Sequence, residues 1–375
     1  MLKVEKVNTG RRSQVRRFVD IAYRLYADYP NWVPPMRLDM NAMLNPRKHP
    51  FYEHSKADFF IAVRDGRDVG RIAALENTHY NEYHKSREGQ FYLFECVDDP
   101  EAAQRLFDTA FEWASNRGLT AVVGPKGLGP FDAYGFLEKG FEHRQTMTML
   151  AYNPPYYIDM AERAGFKKEV DFITHIIDAS TFDLDERIKS IAARTKERSG
   201  LAIKEFSSKK EIKEWAERIA RAYNNSFVDN WEYVPLTDAE IDFIVANIMV
   251  VVRPDLIKLI TQGERIVGFL LAFPDISEGL QKAGGRLFPL GLVSLLRAMR
   301  TREWVVANGI GILPEFQKRG GNALLYDEIV RTFKAAGFKR YELTQIAESA
   351  VKMRSDLVKI GGVPHKNHRV YRKKL

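Results

Sequence analysis

The segment Ile310-Gly311-Ile312-Leu313-Pro314-Glu315-Phe316-Gln317-Lys318-Arg319-Gly320-Gly321-Asn322-Ala323-Leu324-Leu325 combines residue types suited to holding an anion. A β-rich run enters a basic, glycine-containing loop, and the loop opens a helical pattern. Gly320 and Gly321 let backbone N–H groups converge with no Cβ between them. The start of the helix adds unpaired donors and partial positive charge, and Lys318 and Arg319 add full charges. Such a cradle suits a pyrophosphate. An ordinary strand-to-helix turn with a solvated Lys-Arg pair has the same local composition, so the loop alone leaves both readings open.

The strand before it, Trp304–Ile312, alternates two kinds of face. Ala307, Gly309 and Gly311 share one, and Val306, Asn308, Ile310 and Ile312 the other. Successive small residues let a ligand or another chain come close, or let a packed helix crowd the strand.

These residues carry a resemblance to the GNAT acyltransferases, whose signature Q/R-x-x-G-x-G/A lies on a strand–loop–helix. Gln317, Gly320 and the helix-opening Ala323-Leu324-Leu325 match it in register. Asn322 stands where Gly or Ala is usual, and Asn tolerates the left-handed backbone region better than most residues. Pro314-Glu315-Phe316 precedes the loop as in the family, and Met353–Gly361 followed by Tyr371 is similar to its closing helix and strand. The resemblance implies an acyl-CoA cosubstrate and no metal. It places Ile310, Ile312, Leu313, Gln317, Lys318, Arg319, Gly320, Gly321, Asn322 and Ala323 at the CoA. It also implies that Trp304–Ile312 pairs with the pantetheine arm and that the Ile312 N–H polarises the thioester carbonyl. Many members protonate the leaving thiolate with a Tyr on the closing helix; the matching residue is Leu357, which cannot do so. For the base that takes a proton from an amine, the candidates are Glu348, Asn308 acting through water, Tyr233 and His365. Each of these residue types is also ordinary as a structural residue.

Two halves of one plan must position this machinery. The first reads as strand Leu2–Val7, helix Arg12–Tyr26 and a hairpin from Asp58 to Ala73 turning at Asp65-Gly66. Strand Gly89–Val97, helix Pro100–Arg117, strand Leu119–Gly124, helix Tyr156–Ala164 and strand Phe172–Ile177 follow. The second reads as strand Ala202–Phe206, helices Lys209–Tyr223 and Asp238–Met249, and strands Leu256–Thr261 and Ile266–Phe273. Strand Trp304–Ile312, helix Ala323–Ala336, strand Arg340–Gln345, helix Val351–Ile360 and strand His368–Lys373 complete it. This order predicts an α/β protein with a duplicated domain, and the resemblance implies two tandem GNAT-like domains, each a mixed central sheet flanked by helices. Residues 1–178 form a domain without a CoA site and residues 179–375 the catalytic domain. In the first half the corresponding stretch is Phe94-Glu95-Cys96-Val97-Asp98-Asp99-Pro100-Glu101, where acids replace Lys and Arg and no glycine loop is present. The blocks Gly124-Pro125, Tyr134-Gly135, Gly140-Phe141 and Tyr152-Asn153-Pro154-Pro155-Tyr156-Tyr157, with Asn230–Thr237 in the second half, resemble a bacterial tandem-GNAT group.

Length and composition agree with two domains: 375 residues with 45% hydrophobic content fill two cores. One cysteine, Cys96, excludes an internal disulfide and a cysteine-cluster zinc site. With no signal-peptide pattern and no long apolar run, the expectation is a cytoplasmic protein, peripheral to the inner face of the membrane if it meets lipid. The net charge of +8 suits an anionic partner: CoA, an anionic membrane surface or nucleic acid. Val351–Leu375 carries much of it, with Asp356 as its one acid, yet no helix-turn-helix accompanies that tail and no nucleic acid is expected.

The most apolar stretch is Arg286–Arg300, whose charges are all cationic. It suits an interfacial segment or the wall of a lipid path, or else a core helix or dimer contact. On the lipid reading, the chain resembles bacterial ceramide synthases, which implies transfer of a long acyl group from CoA to a sphingoid-type primary amine. The alternatives are acetylation of a small amine or amino acid, and a non-catalytic acyl-CoA sensor or nucleic-acid-binding protein.

Overall fold

The computed structural model describes residues 1–129, 132–147, 149–180, 183–198, 200–226, 228, 231, 233–317 and 320–375. The chain runs β1 (Leu2–Lys6), α1 (Arg12–Leu25), α2 (Arg37–Met43), β2 (Lys56–Arg64), β3 (Arg67–Glu76), α3 (Thr78–His84), β4 (Glu88–Cys96), α4 (Pro100–Ser115), β5 (Ala121–Gly124), β6 (Phe136–Lys139), α5 (Tyr156–Arg163) and β7 (Lys167–Asp178). It continues through α6 (Glu186–Arg198), β8 (Leu201–Lys204), α7 (Lys209–Ser226), α8 (Asp238–Val251), β9 (Ile257–Gln262), β10 (Arg265–Pro274), α9 (Ser277–Ala283) and α10 (Gly291–Ala298). It ends with β11 (Trp304–Ile312), α11 (Pro314–Gln317), α12 (Gly321–Ala336), β12 (Arg340–Ala347), α13 (Val351–Lys359) and β13 (Val363–Lys374). Two compact units result. Unit 1 comprises Met1–Phe172, Ile276–Leu296 and Lys366–Leu375; unit 2 comprises Ile173–Asp275 and Arg297–His365.

In unit 1 the strand order is β1-β2-β3-β4-β5-β13, antiparallel except for the parallel pair β4–β5. The β2–β3 turn has Asp65 and Gly66 both at positive φ, the conformation that a two-residue Asp-Gly hairpin requires. Helix α4 covers one face because Ala103, Leu106, Phe107, Ala110 and Ala114 recur at helical spacing and are all buried. Helix α1 buries Phe18, Val19 and Ile21 on the other. In unit 2 the order is β7-β12-β11-β10-β9-β8, and α12 buries Leu324, Leu325, Ile329, Val330, Phe333 and Ala336. Each valine, leucine, isoleucine or phenylalanine among them contributes about 1.5–3 kcal/mol when fully buried.

The units depart from a sequential cut at 178/179 in two places. From Lys366 on, β13 lies in unit 1, where Tyr371 pairs with Gly124 and Lys374 with Ala121. The insertion Ile276–Leu296 also belongs to unit 1. Element order alone does not register an exchanged strand. The basic tail is accounted for by the same pairing: Arg369 bridges Asp171 at 2.8 Å, and Arg372 bridges Glu169 and Glu88 at 2.8 and 2.7 Å. Lys373 donates to the Ala164 carbonyl at 2.6 Å. Among the described residues, no helix is long and apolar enough to cross a membrane.

Candidate functional site

The site begins where two parallel strands part. β11 and β12 pair in register from Trp304↔Arg340 to Ala307↔Leu343 and no further. Beyond that point each strand carries an irregularity. On β11 the antiparallel register with β10 steps from Ala272↔Ala307 to Leu270↔Ile310, so Asn308-Gly309 contains a bulge. On β12, Gln345 adopts a positive φ of 57°, uncommon for a residue with a side chain. The Thr344 hydroxyl reaches the Ala307 carbonyl at 3.5 Å, at the fork itself.

The bulge decides which amides face the fork. The Leu313 N–H donates to the Val267 carbonyl at 2.8 Å, which makes Val267–Leu313 a hydrogen-bonded pair. In an antiparallel ladder such pairs alternate, so Gly268↔Ile312 and Leu270↔Ile310 are non-bonded pairs. The polar backbone groups of Ile310 and Ile312 therefore turn away from β10, toward the opening beside β12. Leu313, expected among the CoA-binding residues, instead has its N–H engaged and its side chain in the core.

Gln317 ends α11 and its Nε2 donates to the Ile312 carbonyl at 3.3 Å, tying the loop to the strand end. Lys318 and Arg319 lie outside the described residues. Gly320 follows at φ 84° as the N-cap of α12, and no side-chain hydrogen bond caps that helix. A Cβ on Gly320 would collide with Thr195 Oγ1 of α6, and one on Gly321 would lie 2.6 Å from the Phe316 carbonyl oxygen. Close packing thus requires both glycines, and backbone conformation requires Gly320 as well. Asn322 and Ala323 stand in the first turn, and Asn322 Oδ1 is buried with no partner among the described residues. This helix start offers backbone donors and no internal acid to occupy them.

The small-residue face of β11 is explained differently from the ligand reading. A Cβ on Gly311 would lie 2.6 Å from the Phe269 ring and 3.2 Å from Ser226 Cβ, and one on Gly309 would lie 3.0 Å from Leu271. Protein crowds this face: the β10 side chains and α7. Sequence reasoning passed over α6, with Thr195 against Gly320, and the α7 residues Tyr223 and Ser226. Tyr223 stacks on Phe269 with centroids 6.1 Å apart; burial, then the neighbouring Tyr233, pushes its hydroxyl up to about 12. Among the base candidates, Asn308 sits at the bulge and Tyr233 beside Tyr223. Glu348 is half-buried just past the C-terminal end of β12, and its carbonyl accepts from Arg354 at 3.2 Å. His365 instead packs its ring near Trp304, 6.4 Å between centroids, and Leu357 is a fully buried core residue.

Unit 1 has the same scaffold with its donors taken. The Val97 N–H donates to the Val69 carbonyl as Leu313 does to Val267, and Gly70↔Cys96 matches Gly268↔Ile312. At the next helix start, the Asp99 side chain accepts from the Ala102 N–H, Pro100 opens α4, and Arg64 pairs with Asp99 at 2.7 Å. A carboxylate of the chain itself occupies the place an anion would take.

No family model matches the chain. A bacterial ceramide synthase from Caulobacter vibrioides is 27% identical over 373 residues, covering 97% of this chain and 95% of that protein. Protein YghO from Escherichia coli (strain K12) is 25% identical over 370 residues, with 97% and 94% covered. A tandem GNAT protein from the clavulanic acid biosynthesis pathway superposes with a TM-score of 0.57 at 11% identity, covering 100% of this chain and 98% of that one. The chain has the tandem GNAT fold and is similar along nearly its whole length to a bacterial ceramide synthase.

Proposed function

We propose that the protein is an acyl-CoA-dependent N-acyltransferase whose unit 2 holds the cosubstrate and whose acceptor is the primary amine of a long-chain, sphingoid-type lipid. The observation that carries this reading is the start of α12: a glycine N-cap, no capping side chain, and Gln317 tying the loop to Ile312. The CoA pyrophosphate sits over the Gly320–Ala323 amides, and the pantetheine arm enters the fork past Ala307↔Leu343. The amine nitrogen attacks the thioester carbonyl and a C–N bond forms. The resulting oxyanion faces the Ile312 N–H, and collapse breaks the C–S bond to release the CoA thiolate. The ammonium proton passes to Glu348, to water held by Asn308, or to Tyr233. The thiolate takes its proton from solvent, since Leu357 supplies none.

The full-length likeness to a bacterial ceramide synthase supports a long acyl chain and a lipid amine. Each methylene buried on transfer out of water adds about 0.8 kcal/mol. The test is thiol release from acetyl-CoA and palmitoyl-CoA, with a sphingoid amine and with small amines as acceptors. Turnover fastest with palmitoyl-CoA and the sphingoid amine supports the reading. Preference for acetyl-CoA with a small amine replaces the lipid acceptor. Binding of CoA without thiol release on any amine removes the enzyme and leaves a sensor.

A further inference from the structure

The insertion between β10 and β11 is fastened at its root and bare at its tip. At the root, Ser277 Oγ accepts from the Met147 N–H at 2.6 Å. Gln281 Nε2 donates to the Pro30 and Trp32 carbonyls at 2.8 and 2.9 Å. The Gly285 carbonyl accepts from the Arg37 N–H at 2.9 Å, and Gly285 lies so close to the Tyr23 ring that a Cβ has no room. Beyond Gly285 the pattern inverts. Phe288 and Leu290 are 71% and 72% exposed, and on α10 the outward residues are Leu292, Val293, Leu296 and Arg297, while Gly291 and Ala298 face inward. A helix that turns its leucines to solvent and its small residues to the protein is not a core helix.

We infer that this tip is a docking surface for an anionic lipid membrane. The charge pattern selects that occupant. From Gly279 to Arg302 the chain contains Lys282, Arg286, Arg297, Arg300 and Arg302 and no acid. A second copy of the chain meeting this face symmetrically brings arginines against arginines. An anionic bilayer instead accepts the leucines and phenylalanine at the acyl boundary and pairs headgroups with the arginines. The inference does not rest on the acyltransferase reading, because it needs neither CoA nor an acceptor.

Co-sedimentation of the whole protein with vesicles tests it, using phosphatidylcholine alone and phosphatidylcholine with a quarter phosphatidylglycerol. The protein partitions onto the anionic vesicles, and added salt weakens that partition. L292E/L296E lowers it more than tenfold. R286Q and R297Q each lower it roughly fivefold, the contribution of one arginine near an anionic surface. F288S/L290S repeats the comparison on loop residues outside the helix, so a fault in folding α10 does not obscure the result. No partition by the unmodified protein overturns the inference, as does equal partition by both double variants. A dimer in gel filtration that L292E/L296E converts to monomer, without vesicle binding, assigns the face to a second copy instead.

Discussion

The Tyr157 hydroxyl accepts a 2.8 Å hydrogen bond from the backbone N–H of Cys96. Cys96 holds in unit 1 the register position that Ile312 holds in unit 2, so the amide assigned to an oxyanion in one unit is bonded to a phenol in the other. The same hydroxyl donates to Glu95 Oε2 at 3.1 Å, where Tyr26 also donates at 2.5 Å, and Tyr156 donates to the Cys96 carbonyl at 3.0 Å. Burial raises the Glu95 carboxyl above the usual range, against the opposing pull of Arg71. In unit 1 the corresponding backbone amide is engaged by the chain's own side chain.

Titration calorimetry should therefore find one CoA per chain. Y157F leaves the buried Cys96 N–H without its acceptor and should destabilise the protein by about 1–3 kcal/mol. Its CoA affinity should stay unchanged. A second CoA per chain, or a CoA affinity that moves with Y157F, contradicts the assignment of the site to unit 2.

Asn322 offers a test of the cradle that keeps the size of the side chain. It lies in the first turn of α12, which contains no acid. N322D is close to isosteric; a carboxylate there gains about 0.3–1 kcal/mol from the helix dipole but loses hydration at the buried Oδ1 position. The melting temperature should fall slightly, because the desolvation outweighs the dipole gain, while CoA affinity falls at least tenfold through repulsion of the pyrophosphate. Unchanged affinity removes the cradle. A substitution at Gly320 is a poorer probe, because any side chain there meets Thr195.

The contrast between those two positions shows what the sequence could reveal. The loop from Gln317 to Ala323, the Asp65-Gly66 hairpin and the duplication depend on neighbours along the chain, and all could be read from it. Why Gly320 is glycine could not be read fully, because Thr195 reaches the loop from α6, far away in sequence. The small face of β11 left two readings open for the same reason: Phe269, Leu271 and Ser226 fill it from other elements, and the bulge at Asn308-Gly309 breaks the strict alternation. The exchange of β13 into unit 1 has no local signal, since strand pairing is a long-range choice. Asp98 and Asp99 show the acidic character of the first half's helix start in the sequence, but the Tyr157 hydroxyl that meets the Cys96 N–H comes from a helix some sixty residues away.

Helix α6 extends the proposed pyrophosphate cradle in a testable way. Ile191 and Thr195 contact the Gly320 position, and Arg194 and Arg198 fall on the same face at helical spacing. If that face also meets the CoA ribose phosphate, R198A should weaken CoA about fivefold and dephospho-CoA little. The difference should shrink as salt rises. Equal loss for both ligands means that Arg198 supports the fold of the cradle and touches no phosphate.

The last prediction concerns pH and lies in unit 1. Burial holds the Lys126 amino group down to about 7; Glu88 opposes that shift and Arg372 adds to it. The Tyr80 ring lies 4.1 Å from Nζ. In the unfolded chain this lysine keeps its ordinary value of about 10.4. Between about pH 7 and pH 10 the unfolded state binds a proton that the native state does not, so this group makes stability rise with pH. Asp132, pushed up to about 6 by burial, acts with the opposite sign at lower pH and is ionised in both states above that window. Burial also raises the buried Cys96 thiol, which lowers stability above about pH 8.5, but that effect is common to the unmodified protein and a Lys126 variant. Urea midpoints from pH 7 to 8.5 should therefore climb more steeply for the unmodified protein than for K126M, by up to about 1.4 kcal/mol per pH unit. K126M should be the more stable of the two at pH 7, with the gap closing as pH rises. Parallel curves over that interval mean that Lys126 is charged in the native state and has a counter-charge that holds it.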